Sequence, residues 1–242
     1  MSVTLRNVVN VRPARRDEIL PARRLQGMRY LQEGYVDHLS PDGTIDDRYV
    51  EHSEYFVAID PDTGDLVGTC RIITSDTHSF PLLDHMRLDE QWCHTLHRVR
   101  STDLAEVSAL ATERGRSDHF LISGALCRAV IQHALIETPR KYLLCVVDQR
   151  LLRVLNRAFG LGLLPVGPLQ QYMGDTLPAV LPLEHLVPQL LARDDAAARF
   201  FLEGMEDVVA ASGLVVPEVI DLRDDAETPT PNDQVIGIRT PG

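Results

Sequence analysis

The run Leu104-Ala105-Glu106-Val107-Ser108-Ala109-Leu110-Ala111 is apolar at nearly every position and reads as a buried strand. It nevertheless carries a carboxylate, Glu106, where a core side chain is expected. The turn Glu113-Arg114-Gly115-Arg116-Ser117-Asp118 follows and leads into a helix from His119 to Leu135. Leu121, Ala125 and Ala129 fall on one ridge of that helix, and Ile122, Leu126, Val130 and Ala134 on the next. Ser117 or Asp118 stands where an N-cap belongs. A strand feeding a helix whose first amides point back across the strand end is a natural place to hold an anion or a developing negative charge. The plain alternative is a buried strand and an amphipathic helix with one acid held in an ion pair.

Working outward, 242 residues suffice for one sizeable core, and nothing in the middle reads as an interdomain linker. One domain over residues 1–215 is expected. From Val216 on, six acids stand against two arginines with four prolines, which predicts a poorly packed tail over 216–242. A net charge of -11 argues against a nucleic-acid binder, because counterion release needs clustered Lys and Arg. Cys70, Cys93, Cys127 and Cys145 lack paired spacing and read as reduced thiols of a cytoplasmic protein. No stretch approaches the roughly twenty apolar residues of a spanning helix, so no transmembrane segment is expected.

In chain order, Pro13 to Tyr35 reads as helix and Val36 to Asp47 as loop. Glu54 to Asp60 and Leu66 to Thr74 form a hairpin about Pro61-Asp62-Thr63-Gly64-Asp65, with Arg71 inside its second strand. Cys93, His94 and His97 have a spacing that a metal could use, but no second cluster accompanies them and no metal site is expected. Lys141 to Val147 is an apolar strand, and Asp148 caps a helix over Gln149 to Phe159. On that helix Arg150, Arg153 and Arg157 share a ridge, which is either a solvated face or a dock for an acidic partner. Short strands follow over Gly162 to Met173 and Ala179 to Leu181, and Glu184 to Ser212 reads as one helix.

This order of elements resembles the GCN5-related N-acetyltransferase fold, an α/β (α+β) three-layer αβα architecture around a central mixed sheet splayed into a V. Three passages resemble its autoinducer-synthase branch, which includes acyl-homoserine lactone synthases, long-chain N-acyl amino acid synthases and exosortase-associated acyltransferases. Gly68-Thr69-Cys70-Arg71 is similar to the family's Gly-x-x-Arg strand, and Glu106-Val107-Ser108 to its Glu-x-Ser strand. Arg153 to Phe159, with Gly167-Pro168 and Tyr172-x-Gly174, resembles the region after the carrier-binding helix. The likeness spans about residues 20–182. Ala109 stands where Arg commonly follows Glu-x-Ser, Tyr35 stands for an expected Trp, and Arg23 or Arg24 can match the amino-terminal Arg.

The resemblance implies an N-acyltransferase that moves a medium or long acyl chain from acyl-carrier protein, or acyl-CoA, to the amine of an amino acid or related small molecule. No cofactor would be bound; an acyl-phosphopantetheine thioester would be the co-substrate. Glu106 would accept the amine proton, with Ser108 beside it, and amides of 108–110 would hold the oxyanion if a bulge splays the strand. The acceptor would meet Arg24, Tyr35, Asp46, Asp47, Glu51 and Arg71, the last either binding a carboxylate or pairing with Glu106. Phe120, Leu121, Leu126 and Met173 would shape the acyl pocket. The turn Arg114-Gly115-Arg116-Ser117-Asp118 lacks the usual pyrophosphate-binding pattern, which favours a carrier-protein donor docked on Arg150, Arg153 and Arg157. Two alternatives stand beside this reading: acyl-homoserine lactone synthesis from S-adenosylmethionine, disfavoured by Ala109, and a non-catalytic acyl-carrier binding module. Oligomeric state is left open.

Overall fold

The structure is a computed structural model that describes residues 8–137, 140–193 and 195–211. The stretch 216–242, expected as a tail, lies outside the described residues. In chain order the elements are β1 (Asn10–Pro13), α1 (Ile19–Gln32), β2 (Ser53–Ile59), β3 (Leu66–Ile73), α2 (Pro81–His85) and α3 (Glu90–Arg98). Then come β4 (Leu104–Thr112), α4 (His119–Ile136), β5 (Tyr142–Asp148), α5 (Gln149–Arg157), β6 (Leu164–Pro165), β7 (Gln170–Gln171) and β8 (Asp175–Pro182). Three helices complete the described chain: α6 (Leu186–Arg193), α7 (Ala196–Leu202) and α8 (Glu206–Ala211).

The strands form one mixed sheet in the order β1-β2-β3-β4-β5-β8-β6, with β7 also on β8. The β4–β5 pair alone is parallel, and its crossover is α4, as a parallel connection requires. Side chains alternate across the sheet with period two. Phe56, Cys70, Ile72, Ala105, Leu143 and Leu181 face the core shared with α4, α6 and α7. Ile73, Leu104, Leu144 and Val180 face the opposite layer beside Leu82 of α2 and Leu96 of α3. Tyr55 and Val57 do the same against Ala22 of α1. The result is the three-layer αβα arrangement. A Cβ at Gly68 would lie 2.8 Å from the Ile122 side chain, so glycine there lets α4 approach β3 closely. α4 is long and apolar enough to cross a membrane by length and composition, contrary to the reading of the sequence; Ile122, Leu126, Val130 and Ala134 are instead buried in the core.

The hairpin closes as its residues dictate, with the Asp60 carboxylate accepting from the amides of Asp62 and Thr63 and Gly64 at φ 77°. Asp148 caps α5 by accepting from the Arg150 and Leu151 amides. Other expectations are corrected. The amino-terminal helix begins at Ile19, because Asn10–Pro13 is an edge strand on β2. The single helix over 184–212 is three helices: Asp195 caps α7 anew through the Ala198 amide, and Gly204 at φ 83° turns the chain before α8. At α4, Asp118 occupies the N-cap position without a capping bond. Its carboxylate is taken by Arg116, at 2.9 and 2.8 Å.

Candidate active site

β4 changes character halfway along. From Leu104↔Tyr142 to Val107↔Cys145 it pairs with β5, and the register ends there although both strands continue. On its other edge Arg71 pairs with Ser108 and Thr69 with Ala111, so Ala109 and Leu110 together oppose Cys70. This is a bulge, with Ala109 in the left-handed region at φ 58°. That conformation costs an alanine roughly 1–2 kcal/mol. The bulge bends β4 away from β5, and the sheet opens into a V.

A cavity of about 580 Å³ occupies the opening. Its lining differs between the two faces of the sheet. Toward α1 and α2 it is polar and aromatic, with Tyr30, Tyr35, Asp47, Tyr49, Arg71, His85, Glu106 and Tyr172. Toward α4 and α5 it is apolar, with Leu110, Cys127, Val147, Leu151 and Leu155. The gap between the strands joins the two parts.

Glu106 is fully buried. Its Oε2 accepts from the Leu82 amide at 2.9 Å, and Oε1 has no hydrogen-bond partner among the described residues. Burial raises its pKa to about 8; the Leu82 hydrogen bond and the Arg71 charge oppose the rise, and Asp84 adds to it. A carboxyl with one open oxygen and a near-neutral pKa can accept a proton from a bound amine.

Arg71 lies on the same face but does not pair with Glu106. Its guanidinium meets Asp47 at 2.5 Å, donates through Nε to Ser108 Oγ at 2.8 Å and reaches the Tyr55 hydroxyl at 3.4 Å. A buried cation needs a partner, and the loop before β2 supplies it. Asp46 also lines the cavity and is exposed, whereas Glu51 sits on an exposed 3-10 turn outside it. Arg24 likewise lies outside and donates to the Asp42 carbonyl at 2.7 Å. Tyr35 lines the mouth, its ring edge-on to Tyr30 and so close to Gly174 that a Cβ there would come within 2.9 Å.

Of the residues expected along an acyl chain, Met173 lines the cavity. Leu126 is instead in the core under Gly68, and Phe120 and Leu121 line a separate surface groove with Phe159 and Arg157. Arg150, Arg153 and Arg157 are exposed on α5, and none forms an ion pair among the described residues. Leu151 and Leu155 of the same helix form the cavity wall, so the basic ridge and the apolar floor share one element. On α3, Cys93 Sγ and His97 Nδ1 are 3.9 Å apart, and no group of three or more potential metal ligands converges among the described residues.

His85, Tyr30, Tyr49 and Tyr172 also line the cavity, and no motif in the sequence marks them as lining residues. Four of the chain's six tyrosines line this cavity, a clustering that long-range folding creates and no local pattern announces.

A family model described as "N-acyl amino acid synthase FeeM" matches residues 21–182. No curated protein matches the sequence. Among solved structures, the chain is similar to FeeM, an N-acyl amino acid synthase from uncultured soil microbes, at 20% identity and TM-score 0.58, covering 79% of this chain and 97% of that one. It is similar to the acyl-homoserine lactone synthase LasI at 18% identity and TM-score 0.54, covering 81% and 95%. BjaI, a CoA-dependent acyl-homoserine lactone synthase, aligns at 17% identity and TM-score 0.57, covering 86% and 99%. These structures share the splayed αβα fold, and the family match over two thirds of the chain is the more specific finding: the protein belongs to the FeeM family of N-acyl amino acid synthases and is an acyltransferase.

Proposed function

We propose that the cavity transfers a medium or long acyl chain from a phosphopantetheine thioester to the amine of an amino acid or related metabolite, with Glu106 as proton acceptor. The observation that carries this reading is the two-faced cavity, which joins a polar chamber around Glu106 to an apolar one through the gap beside the Ala109 bulge. An amine fits the first chamber and an alkyl chain the second, which brings the thioester carbonyl to the gap between them. Amides of the bulged 108–110 stretch are the donors for the oxyanion that forms there. Asp46, Asp47, Arg71 and Tyr35 surround the acceptor, and Leu110, Cys127, Leu151, Leu155 and Met173 the chain.

Carrier protein is the favoured donor on two counts. In the turn before α4, Arg116 is held by Asp60 and Asp118, each at 2.8 Å, so its charge is already matched and a pyrophosphate finds little to hold it. On α5 the three arginines stand exposed beside the cavity wall, with no ion pair among the described residues, and suit an acidic carrier helix. BjaI is CoA-dependent, so both donors belong in the test. The protein is incubated with acyl-carrier protein or acyl-CoA of graded chain length and a panel of amino acids and amines, and products are read by mass spectrometry. The expected result is a long-chain amide formed faster from the carrier thioester; no amide from either donor would sink the reading.

A further inference from the structure

An amine that arrives as an ammonium ion loses two protons on becoming an amide nitrogen. When the new C–N bond forms and the C–S bond breaks, the leaving sulfur takes one proton back as a thiol, and the other goes to solvent. Glu106 can carry one proton at a time, and its side chain is fully buried at the inner wall of the cavity. A second acceptor nearer solvent would take the other proton, and the polar chamber contains a group placed for it.

His85 ends α2, one helical turn after the Leu82 amide that holds Glu106. It is exposed, lines the cavity and stacks on Tyr172, with ring centroids 5.3 Å apart and planes at 16°. Its Nε2 lies 3.1 Å from the Tyr49 hydroxyl. That hydroxyl donates its single proton to Asp84 Oδ2 at 2.9 Å and accepts from the Arg48 guanidinium at 2.8 Å. A carboxylate only accepts and a guanidinium only donates, so the phenol has no proton left for the imidazole. Nε2 must therefore donate to Tyr49. In the neutral ring this fixes the tautomer and leaves Nδ1 as the proton acceptor. Burial, with Asp84, keeps the Tyr49 phenol protonated by raising its pKa to about 12, so the anchoring arrangement persists at neutral pH.

We infer that His85 is a second catalytic base of this site, whose Nδ1 takes the ammonium proton of the acceptor and releases it to solvent, leaving Glu106 to manage the proton that passes from nitrogen to sulfur. The inference rests on the acyl-transfer reading of the cavity. The charged and titratable groups around His85 are Asp84 on its own helix, Tyr49 and Arg48 from the loop before β2, and Tyr172 beneath the ring; Glu106 and Asp47 lie on the same polar side of the cavity. Asp84 and Arg48 meet at 2.8 Å and hold the phenol between them, so Tyr49 orients the ring while Nδ1 carries the proton.

Two variants separate base from scaffold. In His85→Gln the side-chain amide can still donate to Tyr49 but accepts no proton; in His85→Ala both functions are lost and space opens for a small base. Both are expected to fold, because the ring is exposed, and circular dichroism with thermal melting checks this. Removing a base lowers kcat by on the order of a hundredfold, with the donor KM near wild type. The deficit should shrink as pH rises, since more of the amine then arrives neutral, and added imidazole should restore part of the rate to His85→Ala. Wild-type kcat in His85→Gln, or a His85→Ala variant that is slow and insensitive to imidazole at every pH, overturns the inference and leaves acyl transfer standing. A wild-type protein that forms no amide from any donor overturns the acyl-transfer reading and this inference together.

Discussion

The two halves of β4 share one strand and obey different rules. Leu104 to Val107 pairs with β5, Glu106 and Val107 pair with β3 as well, and Leu104 and Ala105 are buried on opposite faces of the sheet. Past Ser108 the strand keeps only β3, takes an extra residue and places Ala109 in the left-handed region. The first half is held by ladder bonds and packing. In the second, the separation from β5 makes room for a ligand, and a strained alanine persists because the flanking pairs Arg71↔Ser108 and Thr69↔Ala111 fix it. Glu106 sits at the seam, fully buried, with one oxygen left without a hydrogen-bond partner among the described residues.

The largest expected effect comes from changing that seam residue. Glu106→Gln should lower kcat/KM for amide formation by on the order of a hundredfold or more, if the carboxylate accepts the amine proton. It should also alter stability, with a definite sign. The folded state raises the pKa from 4.5 to about 8, so it holds the proton more tightly than the unfolded chain does. The associated stability is fully present below the unfolded value and is lost as pH rises from there through the folded one, by up to about 5 kcal/mol at 1.36 kcal/mol per unit. Urea unfolding across a pH series should show the Gln variant gaining on wild type progressively between the unfolded value of 4.5 and about 8, with no further gain in alkali. Equal turnover in the two proteins would make Glu106 a purely structural acid.

Arg71 tests the bond between the strand and the acceptor loop. Arg71→Ala leaves the mostly buried Asp47 carboxylate without its 2.5 Å partner and should cost about 3 kcal/mol. If the protein survives this, the acceptor KM should rise while the donor KM holds. Unchanged stability with unchanged kinetics would detach Arg71 and Asp47 from the site.

Charge reversal on α5 tests what approaches the open half from outside. Arg153→Glu with Arg157→Glu should slow transfer from acyl-carrier protein about tenfold at low salt and spare a short acyl-pantetheine donor. Higher salt should narrow the difference, since exposed charges are screened over about 8 Å at physiological ionic strength. Equal responses from both donors would leave the ridge as a solvated face. The smallest effect belongs to the bulge itself. Ala109→Gly relieves the left-handed strain but loosens the unfolded chain, for a net gain of less than about 1 kcal/mol in denaturant melts. A clear loss of stability would show that the alanine methyl contributes packing beyond its strain.

The same contrast explains how much could be read from sequence. The strand at Leu104, the helix after Asp118, the hairpin at Asp60–Gly64 and the cap at Asp148 are set by periodicity and turn chemistry within a few residues, and all were legible. The separation of β4 from β5 was suggested only through the family resemblance, because no spacing in Glu106 to Ala111 encodes a missing neighbour. Arg71 finds Asp47 rather than Glu106 because the loop folds back over the sheet, a path fixed by distant packing. Phe120 and Leu121 line a surface groove, whereas Cys127 of the same helix lines the cavity with Leu151 and Leu155 of α5 and Met173, a difference of helix face that sequence spacing alone does not decide. The four-residue β1 is too short for periodicity to reveal, whereas Asp195 and Gly204 were readable stop signals inside the carboxy-terminal helix.

The thiols at the gap bear on the order of events. Cys127 and Cys145 both line the cavity where the acyl carbonyl would rest. Burial pushes the Cys127 thiol up to about 12 and raises Cys145 further, with Glu106 adding to the latter. Neither is a thiolate at neutral pH, and the thiolate is the nucleophile. Neither thiol therefore offers a ready way station on which to park the acyl group while the first product departs. If the proposed acyl transfer holds, donor and acceptor are expected in their chambers together, and initial-rate lines for the two substrates should intersect rather than run parallel.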